Sequence, residues 1–212
     1  MKILSLNCRA FYRDLNRKKP TYWRKRAKAI KELIQRENPD IILFQELTVP
    51  MKWHVLPKGY KRATLFSISH HVYCRREYEV VGNEWHIHWC RAFIDINQSK
   101  TDTFPCINLF SVHSHWDRKI YTKVSDQILA KYKVHKDGKT ITIAGGDWNV
   151  EPEVMERRMR PLALCRPHEE TFQNWTNIFH GELDYFAYNH CKPKCHRLDD
   201  FVSDHYPVVL EL

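Results

Sequence analysis

The sequence lacks any apolar run near the roughly 20 residues that a membrane-spanning helix needs, which argues against a helical membrane protein. It also lacks a signal peptide's long apolar segment, because the opening MKILSLNC soon turns polar. We therefore expect an intracellular protein, in the cytoplasm, nucleoid or nucleus, that is neither secreted nor bound to membranes. No low-complexity segment, repeat or linker interrupts the chain, and we expect one domain over residues 1–212.

A disulfide framework is also missing, since the seven cysteines are odd in number and several lie in apolar, strand-like runs. We expect free thiols. The segment HCKPKCH, residues 190–196, places two cysteines and two histidines in seven positions. Zinc sites usually use two separated ligand pairs, so a polar loop is favoured here and a partial zinc site stays open.

A surplus of positive charge is present instead. The formal net charge is +9 and the pI is about 9.2, which favours a polyanionic partner. Basic residues concentrate early, in RDLNRKKP and YWRKRAKAIK, where a solvated helix face is the alternative. Seven tryptophans and ten tyrosines offer stacking surfaces, although most should be core.

The hydrophobic pattern predicts a layered α/β protein. Residues 2–6 and DIILF have the composition of buried strands. Between them Trp23, Ala27, Ile30 and Leu33 recur at helical spacing, and Pro39 ends that helix. A helix joining two buried strands is typical of layered α/β proteins.

The rest of the chain predicts more strands and one more helix. YEVVGNEWHIHWCRAFIDI is interpreted as a hairpin with a tight turn at Gly82-Asn83. Further strands are predicted at CINLFSV, TITIAGG, LDYFAY and YPVVLEL, and a helix from Ile120 to Tyr132. Hairpins together with helix-linked strands indicate two mixed sheets packed face to face, with helices outside.

Polar side chains stand at the ends of most of these strands. They are Asn7, Glu46, His113, Asp147, Asn149, Asp184, Asp204 and His205. Any one alone would more often cap a turn or a helix. Their repetition at six places favours one shared site on the rim of a sheet.

These residue types suit metal-assisted attack on a phosphodiester or phosphomonoester. Glu46 is an oxygen ligand for a hard cation such as Mg²⁺. Asp147 is placed to orient or deprotonate water. His113 and His205 are candidates to donate to the phosphate, and Asp184 to hold His205 in the right tautomer. The asparagines add hydrogen bonds without charge.

In order along the chain, LSLNCR, PDIILFQE, GGDWN and SDHYPVVLEL resemble motifs of the exonuclease–endonuclease–phosphatase superfamily, which includes deoxyribonuclease I. Each motif is short, but together they span nearly the whole chain. The resemblance implies a four-layer α/β/β/α sandwich and dependence on Mg²⁺ or Mn²⁺. Aromatic residues before LDYF resemble a stretch of AP endonucleases.

The resemblance also implies roles for individual residues. Metal binding falls to Asn7, Glu46 and Asp204. Catalysis falls to His113, Asp147, Asn149, Asp184 and His205. Substrate binding is expected of Arg9, His115, Phe172 and Trp175. For Phe172 and Trp175, packing beneath the site is the alternative.

Two registers are possible for the family's middle histidine. The contexts SVHS and H-x-H-W-D both select His113, whereas a T-H-L type of alignment selects His115. We favour His113 as the phosphate-facing residue. Residues two apart on a strand share a face, so His115 would be its neighbour.

The substrate is the least determined property. A PAWCDR-like block is absent, which lowers the inositide-phosphatase interpretation. The positive charge and the aromatic residues favour a nucleic acid as the partner, and we expect DNA rather than RNA. We also expect the protein to be a monomer. A phosphatase or phosphodiesterase acting on a non-polymeric or protein-linked phosphoester is the alternative. A catalytically inactive binding module is disfavoured, because every expected acid, amide and imidazole is present.

Overall fold

The computed structural model describes residues 1–9, 21–47, 49–65, 69–96, 106–134, 140–173, 180–200 and 202–212. Within these ranges the chain forms four helices: α1 (Thr21–Glu37), α2 (Val49–Val55), α3 (Arg118–Val134) and α4 (Pro152–Arg158). None of the described helices is long and apolar enough to cross a membrane.

The same ranges contain fourteen strands. In chain order they are β1 (Lys2–Asn7), β2 (Ile41–Gln45), β3 (Tyr60–Arg62), β4 (His71–Arg75), β5 (Glu79–Trp85), β6 (Trp89–Asp95), β7 (Cys106–His113), β8 (Thr140–Asp147), β9 (Ala163–Cys165), β10 (Phe172–Gln173), β11 (His180–Gly181), β12 (Asp184–Tyr188), β13 (Lys194–Arg197) and β14 (Val208–Glu211). One six-stranded sheet has the order β13-β14-β1-β2-β4-β3, the other β5-β6-β7-β8-β12-β9. Strands β10 and β11 form a small ribbon.

The helices form where the apolar spacing predicts them. Ala27, Ile30, Leu33 and Ile34 are all buried, so one stripe of α1 faces the first sheet. The helix ends where Asn38 takes a left-handed conformation, with φ of 50°, ahead of a proline. Its backbone N–H donates to Ile34 O at 2.9 Å, which satisfies a carbonyl of the last turn.

Three apolar layers separate four layers of secondary structure. The central one lies between the sheets and joins Ile41 and Leu43 to Leu109, Ile143 and others. On the outer face of the first sheet, residues of α1 and α2 pack against β1 and β2. On the outer face of the second sheet, residues of α3 and α4 pack against β7 and β8. The predicted α/β fold class, a four-layer α/β/β/α sandwich of two mixed sheets, is confirmed.

The predicted tight turn at Gly82-Asn83 is wrong. Both residues lie inside β5, where the pairing with β6 shifts register between Val80 and Gly82. Strand β6 pairs along its whole length with β7, which keeps β6 extended. Strand β5 can therefore pair with β6 as far as Trp85 and Cys90. The glycine therefore marks an irregularity in an edge strand, and residues 86–88 make the turn.

The cysteine-rich segment 190–196 is only partly the loop that its composition favours. Residues 194–197 form β13, where Cys195 pairs with Leu210 of β14. All seven cysteines are free thiols. The described residues, which include all of 190–196, place no group of three or more potential metal ligands in that segment.

Candidate active site

The strand ends that carry polar residues meet at one edge of the sandwich. Strands β1 and β2 run parallel, as do β7 and β8, so their carboxyl ends lie side by side. Within the second sheet, Asp147 is paired with His113 on one side and with Asp184 on the other. The buried Gln45 amide donates to Ser111 Oγ at 2.9 Å and so ties the two sheets together beneath this edge.

Asn7 links the two sheets' carboxylates. Its Nδ2 donates to Asp147 Oδ2 at 2.8 Å and lies 3.3 Å from Glu46 Oε1. Its Oδ1 accepts the backbone N–H of Arg9 at 2.8 Å. In this orientation the amide holds both carboxylates in place. The expectation that Asn7 also binds a metal stays a prediction.

His113 lies against the same two carboxylates. Its Nε2 is 3.3 Å from Glu46 Oε1 and 3.6 Å from Asp147 Oδ2. Its ring is partly exposed, and it borders the pocket described below. It can therefore donate to an anionic group that enters the pocket.

His205 and Asp184 form a buried pair. His205 Nδ1 and Asp184 Oδ2 are 2.8 Å apart, which leaves Nε2 facing Asp147 Oδ2 at 3.7 Å. Burial by itself lowers the pKa of His205, but the carboxylates of Asp184 and Asp147 outweigh it and raise the pKa to about 10. His205 is thus held as an imidazolium between the two carboxylates.

Ser203 fixes the backbone before this histidine. Its hydroxyl donates to Asn7 O at 2.6 Å and accepts the N–H of His205 at 2.9 Å. The SDH segment is thereby tied to the end of β1, although the two are about 200 positions apart in the chain. This tie brings the last motif of the sequence to the first.

Asp147 contacts most of the other residues of the site, and these contacts only partly offset the cost of burying its negative charge. Burial raises the pKa of Asp147, and contacts with His205, His113 and Asn7 only partly offset that effect. A buried carboxylate with a raised pKa is a common feature of functional sites. The raised pKa also indicates that an additional positive charge near Asp147 would stabilise its carboxylate.

Two strand-end residues adopt the left-handed backbone region. Glu46 has φ of 52° and Asn149 has φ of 51°. Asparagine tolerates this region, but glutamate rarely adopts it, and such strain concentrates at functional positions. The Asn149 N–H donates to Asp147 Oδ1 at 2.9 Å and its Nδ2 donates to Ser114 O at 3.2 Å. Asn149 therefore holds one carboxylate oxygen of Asp147 while Asn7 holds the other.

Gly146, just before Asp147, is required by the backbone. Its φ is 138°, and a Cβ there would lie 2.1 Å from Val112 O. We expect Gly146→Ala to lower the unfolding free energy by on the order of 3 kcal/mol, as measured by urea unfolding. Gly82→Ala is the control, because its Cβ would meet only Phe93 Cβ at 3.8 Å. Equal stability of the two variants would contradict the prediction.

Arg9 and Phe172 lie beside the SDH segment. Arg9 forms an ion pair with the buried carboxylate of Asp204 and lies over the Phe172 ring at 5.8 Å from its centroid. The Phe172 ring is 4.9 Å from the ring of His205. Arg9 and Phe172 both border the pocket. Asp204, expected to serve the metal, is engaged with Arg9 in this arrangement, and its metal role stays a prediction.

The two remaining predicted substrate contacts have different outcomes. Strand β7 ends at His113, so His115 lies beyond the strand, and the argument that the two histidines share a strand face does not apply. His115 nevertheless borders the pocket, where its Nδ1 accepts the N–H of Asp117 at 3.0 Å. Trp175 lies outside the described residues.

The pocket has a volume of about 550 Å³, within the usual range for small-molecule sites. It is lined by Glu46, His113, Asp147 and His205, which we call its floor. Sequence reasoning missed one side of it, which is formed by Ser69, His70, Trp85, His86, Ile87, His88 and Trp116. The pattern of the segment EWHIHW predicts strands, and its alternating aromatic residues do not indicate a turn at the rim of a site.

Two sets of residues are candidates to hold a metal ion. Asp147, Asp184 and His205 place ligand atoms within 4.8 Å of one another. However, the hydrogen bond between His205 and Asp184 already explains this proximity. Glu46 and Asp147, which share the Asn7 amide, offer carboxylate oxygens at the pocket floor. That oxygen-rich set fits a hard divalent cation better.

Known structures share this fold at low sequence identity. A humanized D. rerio TDP2 has a TM-score of 0.75 and 15% identity, with 99% of this chain and 97% of that chain covered. A mannosyl-6-phosphatase of Bacteroides thetaiotaomicron has a TM-score of 0.77 and 17% identity, with 100% and 98% covered. Beta toxin of Staphylococcus aureus has a TM-score of 0.79 and 15% identity, with 99% of each chain covered.

No curated protein sequence matches the chain significantly. The model of the Endonuclease/Exonuclease/phosphatase family, by contrast, matches residues 4–205. That match runs from β1 to His205 and includes every strand end that contributes to the site. The strand order, the polar edge and this match agree: the chain belongs to the Endonuclease/Exonuclease/phosphatase family of phosphoester hydrolases.

Proposed function

We propose that the protein is a Mg²⁺- or Mn²⁺-dependent nuclease that hydrolyses phosphodiester bonds in nucleic acid, with DNA favoured over RNA. The observation that carries the proposal is the convergence of Glu46, Asp147, His113 and His205 on the floor of one pocket. A bound divalent cation would supply charge stabilisation at the phosphoryl oxygens. The protein's own residues would position water and donate protons.

Each residue has a role that follows from its contacts. Glu46 and Asp147 would hold the cation, and Asp147, from its place between two asparagines, would also orient the attacking water. His113 and His205 direct nitrogen atoms toward the carboxylates at the pocket floor, where they donate to the phosphate. Asp184 keeps His205 charged and oriented.

Charge and aromatic content support a nucleic acid as the substrate. The net charge of +9 favours a polyanion, and Phe172 offers a ring beside His205. Among structural neighbours, D. rerio TDP2 has been solved in complex with a single-strand DNA product. These points favour DNA, while RNA is left as a second arm of the test.

One observation favours the alternative of a phosphatase acting on a small phosphoester. Of the described residues that border the pocket, Arg9 alone is an arginine or lysine. A duplex usually needs several cationic phosphate contacts, whereas one phosphate needs fewer. The structural neighbours include a mannosyl-6-phosphatase, in line with this alternative.

A substrate panel separates the two proposals. The protein is incubated with plasmid, linear duplex, single-stranded DNA and RNA, and separately with phosphomonoesters, in Mg²⁺, Mn²⁺ or EDTA. Cleavage of nucleic acid is monitored by gel electrophoresis. We expect cleavage in either metal and none in EDTA. Release of inorganic phosphate without strand cleavage would replace the nuclease by the phosphatase. Full activity in EDTA would contradict both.

A further inference from the structure

A group of exposed apolar side chains stands at the rim of the pocket. Trp85, Ile87 and Trp116, which we call the lip, are 51%, 71% and 76% exposed. They make up three of the eight large apolar side chains that are exposed among the described residues. Exposed aromatics that border a pocket usually contact a ligand.

The hairpin part of the lip, Trp85 and Ile87, is held in a fixed position relative to His113. The N–H of His86 donates to Trp89 O at 2.7 Å and closes the turn at the tip of the β5–β6 hairpin. The N–H of His113 donates to His88 O at 2.9 Å. His70 Nε2 donates to Ile87 O at 2.9 Å, and the His70 ring packs edge-on to His113 at 5.5 Å. The hairpin tip and the catalytic floor therefore form one connected structure.

Two of the imidazoles between the lip and the floor, those of His70 and His88, have lowered pKa values. Burial, and the nearby charge of His113, lower the pKa of His70 to about 4. Burial and the charges of His113 and His86 also lower the pKa of His88. The rings of His70 and His88 thus favour the neutral form and add planar surfaces rather than cations to this side of the pocket. It is unsuited to a row of phosphates and suited to a flat, uncharged group.

Two stacks of an imidazole on an indole involve residues that border the pocket. Trp116 is stacked on His115, with centroids 4.9 Å apart and an angle of 29° between planes. His86 is stacked on Trp89 at 5.6 Å and 10°. A lipid chain would need a continuous apolar surface, which these imidazoles interrupt. A nucleobase needs a π-face, together with polar atoms near its edge such as the hydroxyls of Ser69 and Ser114, which also border the pocket.

We propose that the lip of Trp85, Ile87 and Trp116 binds an unpaired nucleobase next to the scissile phosphate. The inference rests on the proposed nuclease function and narrows its substrate to single-stranded nucleic acid. Bases in a duplex have both faces covered by their neighbours, so only an unpaired or extruded base can stack on these rings. Arg9 and the catalytic histidines then meet a single phosphate, in line with the scarcity of cations in the pocket.

The test compares oligothymidylate with an abasic oligomer of the same length and the same phosphate count. Binding is measured in EDTA by the anisotropy of a fluorescein label, and cleavage is measured in Mg²⁺. We expect the wild type to prefer oligothymidylate by about 10-fold or more, the range of one stacked base. Trp85→Ala and Trp116→Ala should each lose most of that preference and retain affinity for the abasic oligomer.

Trp53→Ala is the matched control, because Trp53 is 82% exposed on α2 and does not border the pocket. It should keep the full base preference. An unchanged preference in the two lip variants, or none in the wild type, would overturn the inference. So would a loss of binding to phosphatidylcholine vesicles in the lip variants alone, which would assign the lip to a membrane. Because binding is measured without metal, a failure of the nuclease proposal is seen separately, as base-dependent binding without cleavage.

Discussion

Replacing Asp147 by asparagine is expected to lower the turnover rate by about 10²–10⁴-fold, the range for loss of a general base. The change keeps the shape of the side chain and removes its charge. Asp147 accepts hydrogen bonds from Asn7 and Asn149 and faces the nitrogens of His113 and His205, so it is the point at which the site's contacts converge. An amide in its place cannot take a proton from water.

The same substitution should leave stability nearly unchanged. Because burial raises the pKa of Asp147, the folded state holds its charged form at a cost relative to the unfolded chain above that pKa. Removing the charge relieves that cost, while one N–H, that of Asn7 or Asn149, loses an acceptor. We expect the unfolding free energy in EDTA to stay within about 1 kcal/mol of wild type.

The control for this experiment is Asp126→Asn. Asp126 lies on α3, is largely exposed and pairs with Arg158 away from the pocket. It should alter neither turnover nor stability noticeably, because exposed ion pairs contribute little. If Asp147→Asn retained wild-type turnover with saturating metal, Asp147 would have no role in orienting water.

The residues of the site could be predicted from sequence because most of them stand at or beside an end of a recognisable strand. Glu46 follows a run of four buried apolar residues, and His113 and Asp147 close two parallel neighbours. The hydrophobic period of each strand and the position of the polar residue at its end are enough to predict that these side chains lie at one edge of the sandwich. The hydrogen bonds among them, such as those of Asn7 to both carboxylates, depend on side-chain orientation, which periodicity does not specify.

The lip could not be predicted for a different reason. Trp85 and Ile87 are apolar residues in a strand-like segment, a pattern typical of core positions. Their exposure follows from where the hairpin turns, and the Gly82-Asn83 signal placed that turn too early. The long pairing of β6 with β7 keeps β5 extended to Trp85, and this tertiary pairing overrides the local turn preference.

The second large effect is expected for Glu46→Gln, which should reduce turnover by on the order of 10²–10³-fold at a fixed Mg²⁺ concentration. Glu46 is set at the pocket floor by its left-handed backbone and its contact with Asn7. Glutamine keeps that contact's geometry but weakens the hold on a hard cation, because a neutral oxygen replaces a charged one. The activity should therefore recover partly when the Mg²⁺ concentration is raised.

Thermal unfolding tests the same role of Glu46 without a substrate. A ligand that binds the folded state alone raises its stability by RT ln(1 + [L]/Kd), so Mg²⁺ should raise the Tm of the wild type and of the control Glu211→Gln. Glu211 is half-exposed at the end of β14 and does not border the pocket. In Glu46→Gln the shift should shrink or vanish, while the Tm in EDTA should equal or exceed that of wild type, since one of two neighbouring carboxylates has lost its charge. An undiminished shift would place the cation elsewhere, with the buried group of Asp147, Asp184 and His205 as the next candidate.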